Sequence, residues 1–83
     1  MDRRWTAAYD LPVTLTIELD REEDGRYLAE VLELPGVMAY GETEADVVAS
    51  VKALALRVLA DRLEHGELGA DSNAIAFSER PVA

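Results

Sequence analysis

Between residues 12 and 19 apolar and polar positions alternate, with Val13, Leu15, Ile17 and Leu19 interleaved by Thr14, Thr16 and Glu18. A period of two is that of a strand with one face buried. Residues 20–25 form a polar connection rich in carboxylates and closed by Asp24-Gly25, a hairpin signal because glycine accepts positive φ without steric cost. Residues 26–33 return as a second strand with a less regular pattern: Tyr27, Ala29 and Val31 fall on one face, while Leu28 and Leu32 share the other with Glu30. In Leu34-Pro35-Gly36-Val37 the proline and glycine occupy the central positions of a type II turn, and residues 37–41 make a short third strand.

The period then lengthens to that of a helix. Thr43 is placed as an N-cap, with Glu44 and Asp46 in the first turn, where the helix dipole favours negative charge. Val47, Val51, Leu54, Ala55 and Val58 make one apolar stripe, and Val48, Leu56, Leu59 and Leu63 widen it. The result exceeds the roughly 100° that a helix needs to cover one sheet, so a further surface is expected to cover the excess. Arg57, Asp61 and Glu64 lie opposite, with Arg57 and Asp61 spaced for an i to i+4 pair. His65 and Gly66 mark the helix end. Residues 73–78 form a last strand with Ile75 and Phe77 on one face, and residues 79–83 read as a frayed tail.

With no linker, repeat or low-complexity segment, residues 1–83 read as a single domain: an N-terminal extension at 1–11, a folded core at 12–78 and the tail. The fold class expected is α+β. Its form is an antiparallel sheet of three to four strands with one helix packed on one face, in the order β-β-β-α-β.

A chain of 83 residues holds one modest core, and domains of this size often gain stability by self-assembly, so a homo-oligomer, dimer or tetramer, is expected. Cysteine is absent, which removes disulfides and thiolate metal sites. The longest mainly apolar run, residues 53–60, is interrupted by Arg57 and is too short to cross a bilayer. No apolar segment of signal-peptide type follows the basic start. A cytoplasmic protein without membrane contact is the expectation.

Charge is unevenly placed along the chain. Residues 18–46 hold ten acids (Glu18, Asp20, Glu22, Glu23, Asp24, Glu30, Glu33, Glu42, Glu44, Asp46) against Arg21 and Arg26, so this stretch supplies −8 of a net −9. Such a field repels nucleic-acid phosphates and attracts a basic partner. The plainer alternative is a solvated surface that keeps a small protein soluble.

Candidate chemistry is sparse. His65, the one histidine, sits where a helix C-terminus stabilises a capping group, and no second histidine or cysteine exists to complete a transition-metal site. Asp20, Glu22 and Asp24 alternate in the hairpin loop but lack the twelfth-position glutamate and helical flanks of a calcium loop. Ser50, Ser72 and Ser78 are in no nucleophile-elbow setting. No catalytic residue, metal or cofactor is expected, and no enzymatic activity.

The run Asp24-Gly25-Arg26-Tyr27-Leu28-Ala29-Glu30-Val31, then Glu33-Leu34-Pro35-Gly36-Val37, then Tyr40-Gly41-Glu42-Thr43 opening an Ala- and Val-rich helix, resembles the HicB-like antitoxin domain. The match covers roughly residues 15–67. It implies a compact sheet-and-helix domain, often oligomeric, that in toxin-antitoxin pairs binds a small basic RNA-cleaving toxin of HicA type and blocks its active site. Antitoxins of this kind add a DNA-binding segment. The sixteen residues after Glu67 hold one base, Arg80, so no direct specific DNA binding is expected. A solitary oligomeric domain with another regulatory or ligand-binding role is the alternative. On the toxin-binding reading, Glu18, Asp20, Glu22, Glu23, Asp24 and Glu30 are the candidate partner-binding residues. Trp5, Tyr9, Leu28, Leu32, Met38 and Tyr40 are the candidate oligomer interface, because with the helix on one sheet face some of these apolar groups fall on the other face or its rim.

Overall fold

The computed structural model describes residues 12–66 and 74–81. Among them are four strands and one helix: β1 Pro12–Arg21, β2 Tyr27–Val31, β3 Met38–Gly41, α1 Glu44–Glu64 and β4 Ala74–Pro81. The order is the one that the periodicities predict. Trp5 and Tyr9 lie outside the described residues.

The strands form one sheet in the order β3-β2-β1-β4. β1 pairs antiparallel with β2, and β2 with β3, but β4 lies parallel to β1 from Pro12↔Ala74 to Leu19↔Pro81. The sheet is therefore mixed, which corrects the expectation of a wholly antiparallel one. The reason is directional: two hairpin reversals leave β3 running with β1, α1 carries the chain back, and the next strand sets out in the direction of β1 again. A helical crossover returns the chain so that the strands it joins, here β3 and β4 at opposite edges of the sheet, run in the same direction, and β4 is thereby parallel to its neighbour β1. The tail expected at residues 79–83 is corrected too, since β4 continues through Pro81.

Local sequence accounts for the joints. Pro35-Gly36 forms the turn expected of it, with Gly36 at φ 89° and the Val37 N–H donating to the Leu34 carbonyl at 3.0 Å. At the helix start the Thr43 hydroxyl oxygen accepts the Asp46 N–H at 3.0 Å. At its end His65 is the C-cap, and Gly66 follows at φ 73° with its N–H on the Leu63 carbonyl at 3.2 Å.

The core is one cluster: Leu15 and Ile17 of β1, Ala29 and Val31 of β2, Leu34 and Val37 of the turn, and Val47, Val51, Ala55 and Leu59 of α1. The helix thus buries a strict i to i+4 row. Leu54 and Val58, expected at the centre of the stripe, are only partly buried, and Leu59 takes a central place instead. Leu56 and Leu63 stay exposed, as the excess width of the stripe implies. Asp61 does not partner Arg57 as its spacing suggested; its carboxylate lies 3.4 Å from His65 Nδ1. Helix and sheet approach closely at Gly41, where a Cβ would stand 3.0 Å from both the Cβ and the backbone nitrogen of Val47.

Candidate functional site

Alternation along β1 sends Val13, Leu15, Ile17 and Leu19 toward the helix and Thr14, Thr16, Glu18 and Asp20 to the opposite, open face. Pairing then decides what joins them there. Glu18 stands opposite Glu30, Glu30 opposite Met38, Asp20 opposite Leu28, and Leu28 opposite Tyr40. Two rows result. One runs Met38, Glu30, Glu18, Arg80 across all four strands, and beside it runs Tyr40, Leu28, Asp20. The strand register thus brings together two sets that the sequence kept apart: the acids and the apolar candidates. Met38 is 42 % exposed and Tyr40 49 %, so the apolar corner over β2 and β3 is open to contact. Leu32 follows β2 in the turn and is also exposed.

Glu18 and Glu30 are like charges directly opposite one another, a destabilising cross-strand pair. Arg80 relieves it from the other side: its Nη2 donates to Glu18 Oε2 at 2.7 Å and its Nε to the same oxygen at 3.2 Å. Local sequence does not reveal this partner, because position 80 reads as tail until β4 is paired with β1. The one available signal was its parity with Ser78, which shares the open face once β4 is extended.

The hairpin between β1 and β2 holds the remaining acids. Gly25, at φ 93°, donates its N–H to the Glu22 carbonyl, and the Glu22 N–H donates to the Arg26 carbonyl at 2.7 Å. Asp24 accepts the Arg26 backbone N–H at 3.0 Å and the Arg26 Nε–H at 2.8 Å. The backbone bond first, then the guanidinium, hold the Asp24 carboxyl below its ordinary range. Arg26 in turn lies over the Tyr40 ring, its guanidinium carbon 4.7 Å from the ring centroid. Asp24 is therefore occupied in ordering an arginine above an exposed tyrosine. Of the six acidic candidates, Glu18 and Asp24 are paired with bases inside the chain; Glu22, Glu23, Asp20 and Glu30 form no ion pair among the described residues.

No family model matches the chain, and no solved structure matches it. Over 61 residues, 74 % of this chain and 85 % of the relative, it is 38 % identical to UPF0150 protein ssl0738 of Synechocystis sp.. The chain belongs to the UPF0150 family.

In this UPF0150 domain the groups that might carry chemistry are scattered. Among the described residues no three of His, Cys, Asp and Glu gather as metal ligands. His65 Nδ1 lies 2.7 Å from the Asp61 carbonyl at the helix end, far from the open face. A shallow depression of about 570 Å³ opens at the far end of β1, lined by Leu19, Arg21, Tyr27, Glu44, Glu79 and Pro81 among others. Arg21 lies over the Tyr27 ring there, 5.3 Å from its centroid. Both charge signs line this depression, and nothing in it is placed as a nucleophile beside a base. No helix among the described residues is long and apolar enough to cross a membrane.

Proposed function

We propose that this UPF0150 domain is a non-catalytic interaction module of the HicB-like antitoxin kind, which binds a small basic RNA-cleaving toxin of HicA type through the open face of its sheet. The observation that carries the reading is the meeting of Leu28, Met38 and Tyr40 with Glu18, Glu30 and Asp20 on one exposed face. Apolar area with aromatic, methionine and arginine side chains is what the centre of a protein contact requires, and carboxylates around it suit a cationic partner. The local resemblance from Asp24 to Thr43 supports the same assignment.

The mechanism is occlusion. Acids of the hairpin and open face raise the encounter rate with a basic protein, and Tyr40, Met38 and Leu28 then supply contact area that covers its RNA-binding surface. Arg26, neutralised by Asp24, adds a planar group to that contact without repelling a cationic partner. The protein acts in the cytoplasm and binds no DNA specifically.

The test is to co-purify the domain with the product of an adjacent short reading frame encoding a basic protein. A stoichiometric complex that loses RNA cleavage on binding is the expected result. Undiminished cleavage in the presence of excess domain would reject the reading.

A further inference from the structure

We propose that the outer edge of β4 pairs antiparallel with β4 of a second copy, about a two-fold axis normal to the sheet, to make one eight-stranded sheet. β4 is an edge strand of eight residues, and no described strand lies on its outer side. The opposite edge, β3, has only four. An edge strand presents unpaired N–H and C=O groups, and proteins that keep such an edge single protect it with lysine, proline, a bulge or a cover. The central residues of β4, Ile75-Ala76-Phe77-Ser78, carry no charge and no proline, and the one proline, Pro81, is at the strand's end.

Charge selects a second copy at this edge. The chain as a whole is at −9, so self-contact through the acidic hairpin or the open face would be repulsive. Residues 74–81 hold one acid and one base, and both are engaged within their own copy: Glu79 with Lys52 at 3.8 Å and Arg80 with Glu18 at 2.7 Å. The edge is thus locally neutral in a strongly acidic molecule.

Side chains favour the same arrangement. Ile75, 43 % exposed, and the half-buried Phe77 share the helix side of the sheet, because they pair with Val13 and Leu15. Lys52, 5.5 Å from the Phe77 ring centroid, marks the helix flank that looks toward β4. Leu56 lies one turn on along that flank and is 45 % exposed. Directly opposed residues of an antiparallel pair share a face. An axis through Phe77 therefore sets the two phenyl rings side by side on the helix side, flanked by both copies of Ile75 and Leu56.

Sedimentation equilibrium of the full chain across the micromolar range tests the proposal, with Ile75→Lys and Ala76→Lys as edge-protecting variants. Wild type is expected at twice 9.1 kDa, and each variant at 9.1 kDa with an unchanged far-ultraviolet spectrum. A monomeric wild type overturns the proposal, as does a dimer that both lysines leave intact, which would place the contact on another face. Should a variant fail to fold, hydrogen exchange on wild type decides: protection of residues 74–81 that grows with concentration supports the joint, and protection independent of concentration overturns it. The toxin-binding reading is untouched by either result.

Discussion

Glu33 holds Thr16 with both of its carboxylate oxygens. Oε1 accepts the Thr16 backbone N–H at 2.7 Å and Oε2 accepts the Thr16 hydroxyl at 2.8 Å, across 17 residues of sequence. The clasp stands where β2 has ended at Val31, and it supplies to β1 the acceptor that a longer β2 would have supplied. The backbone bond first, and the hydroxyl with it, hold the Glu33 carboxyl below its ordinary value of 4.5.

A depressed carboxylate stabilises the folded state in full above its unfolded pKa and loses that contribution as pH falls through the folded pKa. Wild type is therefore expected to lose stability relative to Glu33→Gln as pH drops below about 4.5. At neutral pH the variant should be less stable by about 1 kcal/mol or less, because the clasp is exposed to solvent. Urea unfolding of both proteins from neutral pH into acid checks this; a difference that stays constant with pH would contradict it.

Gly41→Ala is expected to destabilise by about 1–3 kcal/mol, because the new methyl meets Val47 backbone and Cβ at 3.0 Å and the helix must shift to admit it. The urea midpoint should fall with an unchanged slope.

Tyr40→Ala tests the contact centre on the open face. Loss of the ring removes both apolar area and the platform under Arg26, and affinity for the proposed basic partner is expected to fall by about 2 kcal/mol, mostly through faster dissociation. Surface plasmon resonance separates the two rates.

Reversal of the hairpin charges should act on the other rate. Glu22→Lys with Glu23→Lys, leaving Asp24 to order Arg26, is expected to slow association and flatten its salt dependence while the fold persists. Association rates at two ionic strengths are the measurement, and equal salt slopes for wild type and variant would remove electrostatic steering from the mechanism.

What could be read from the sequence was local. The alternation of β1, the Pro35-Gly36 turn, the Thr43 cap and the helix stop at Gly66 each rest on residues a few positions apart, and each is found where expected. What depended on pairing was not readable. β4 finds β1 across 62 residues, so neither its parallel direction nor the Arg80 to Glu18 bond has a local signature. The site follows the same rule. Its acids and its aromatics were visible as residue types, but only the registers Glu18↔Glu30 and Glu30↔Met38 put them on one surface. Arg26 over Tyr40 likewise needs the β2–β3 pairing before the two can meet.

The mixed sheet also sets a timetable for synthesis. β1, β2, β3 and α1 are contiguous in the chain and can assemble as each leaves the ribosome, whereas β4, the neighbour of β1 along its whole length, is translated after them. Pairings this distant in sequence close slowly. Until β4 arrives, the nascent domain carries β1 with an unfilled flank, a period in which chaperones, proteases or a stray strand can compete for it. Refolding of a chain with a weakened β4 should therefore pass through a species whose β2 and β3 amides are protected while those facing the β4 flank still exchange.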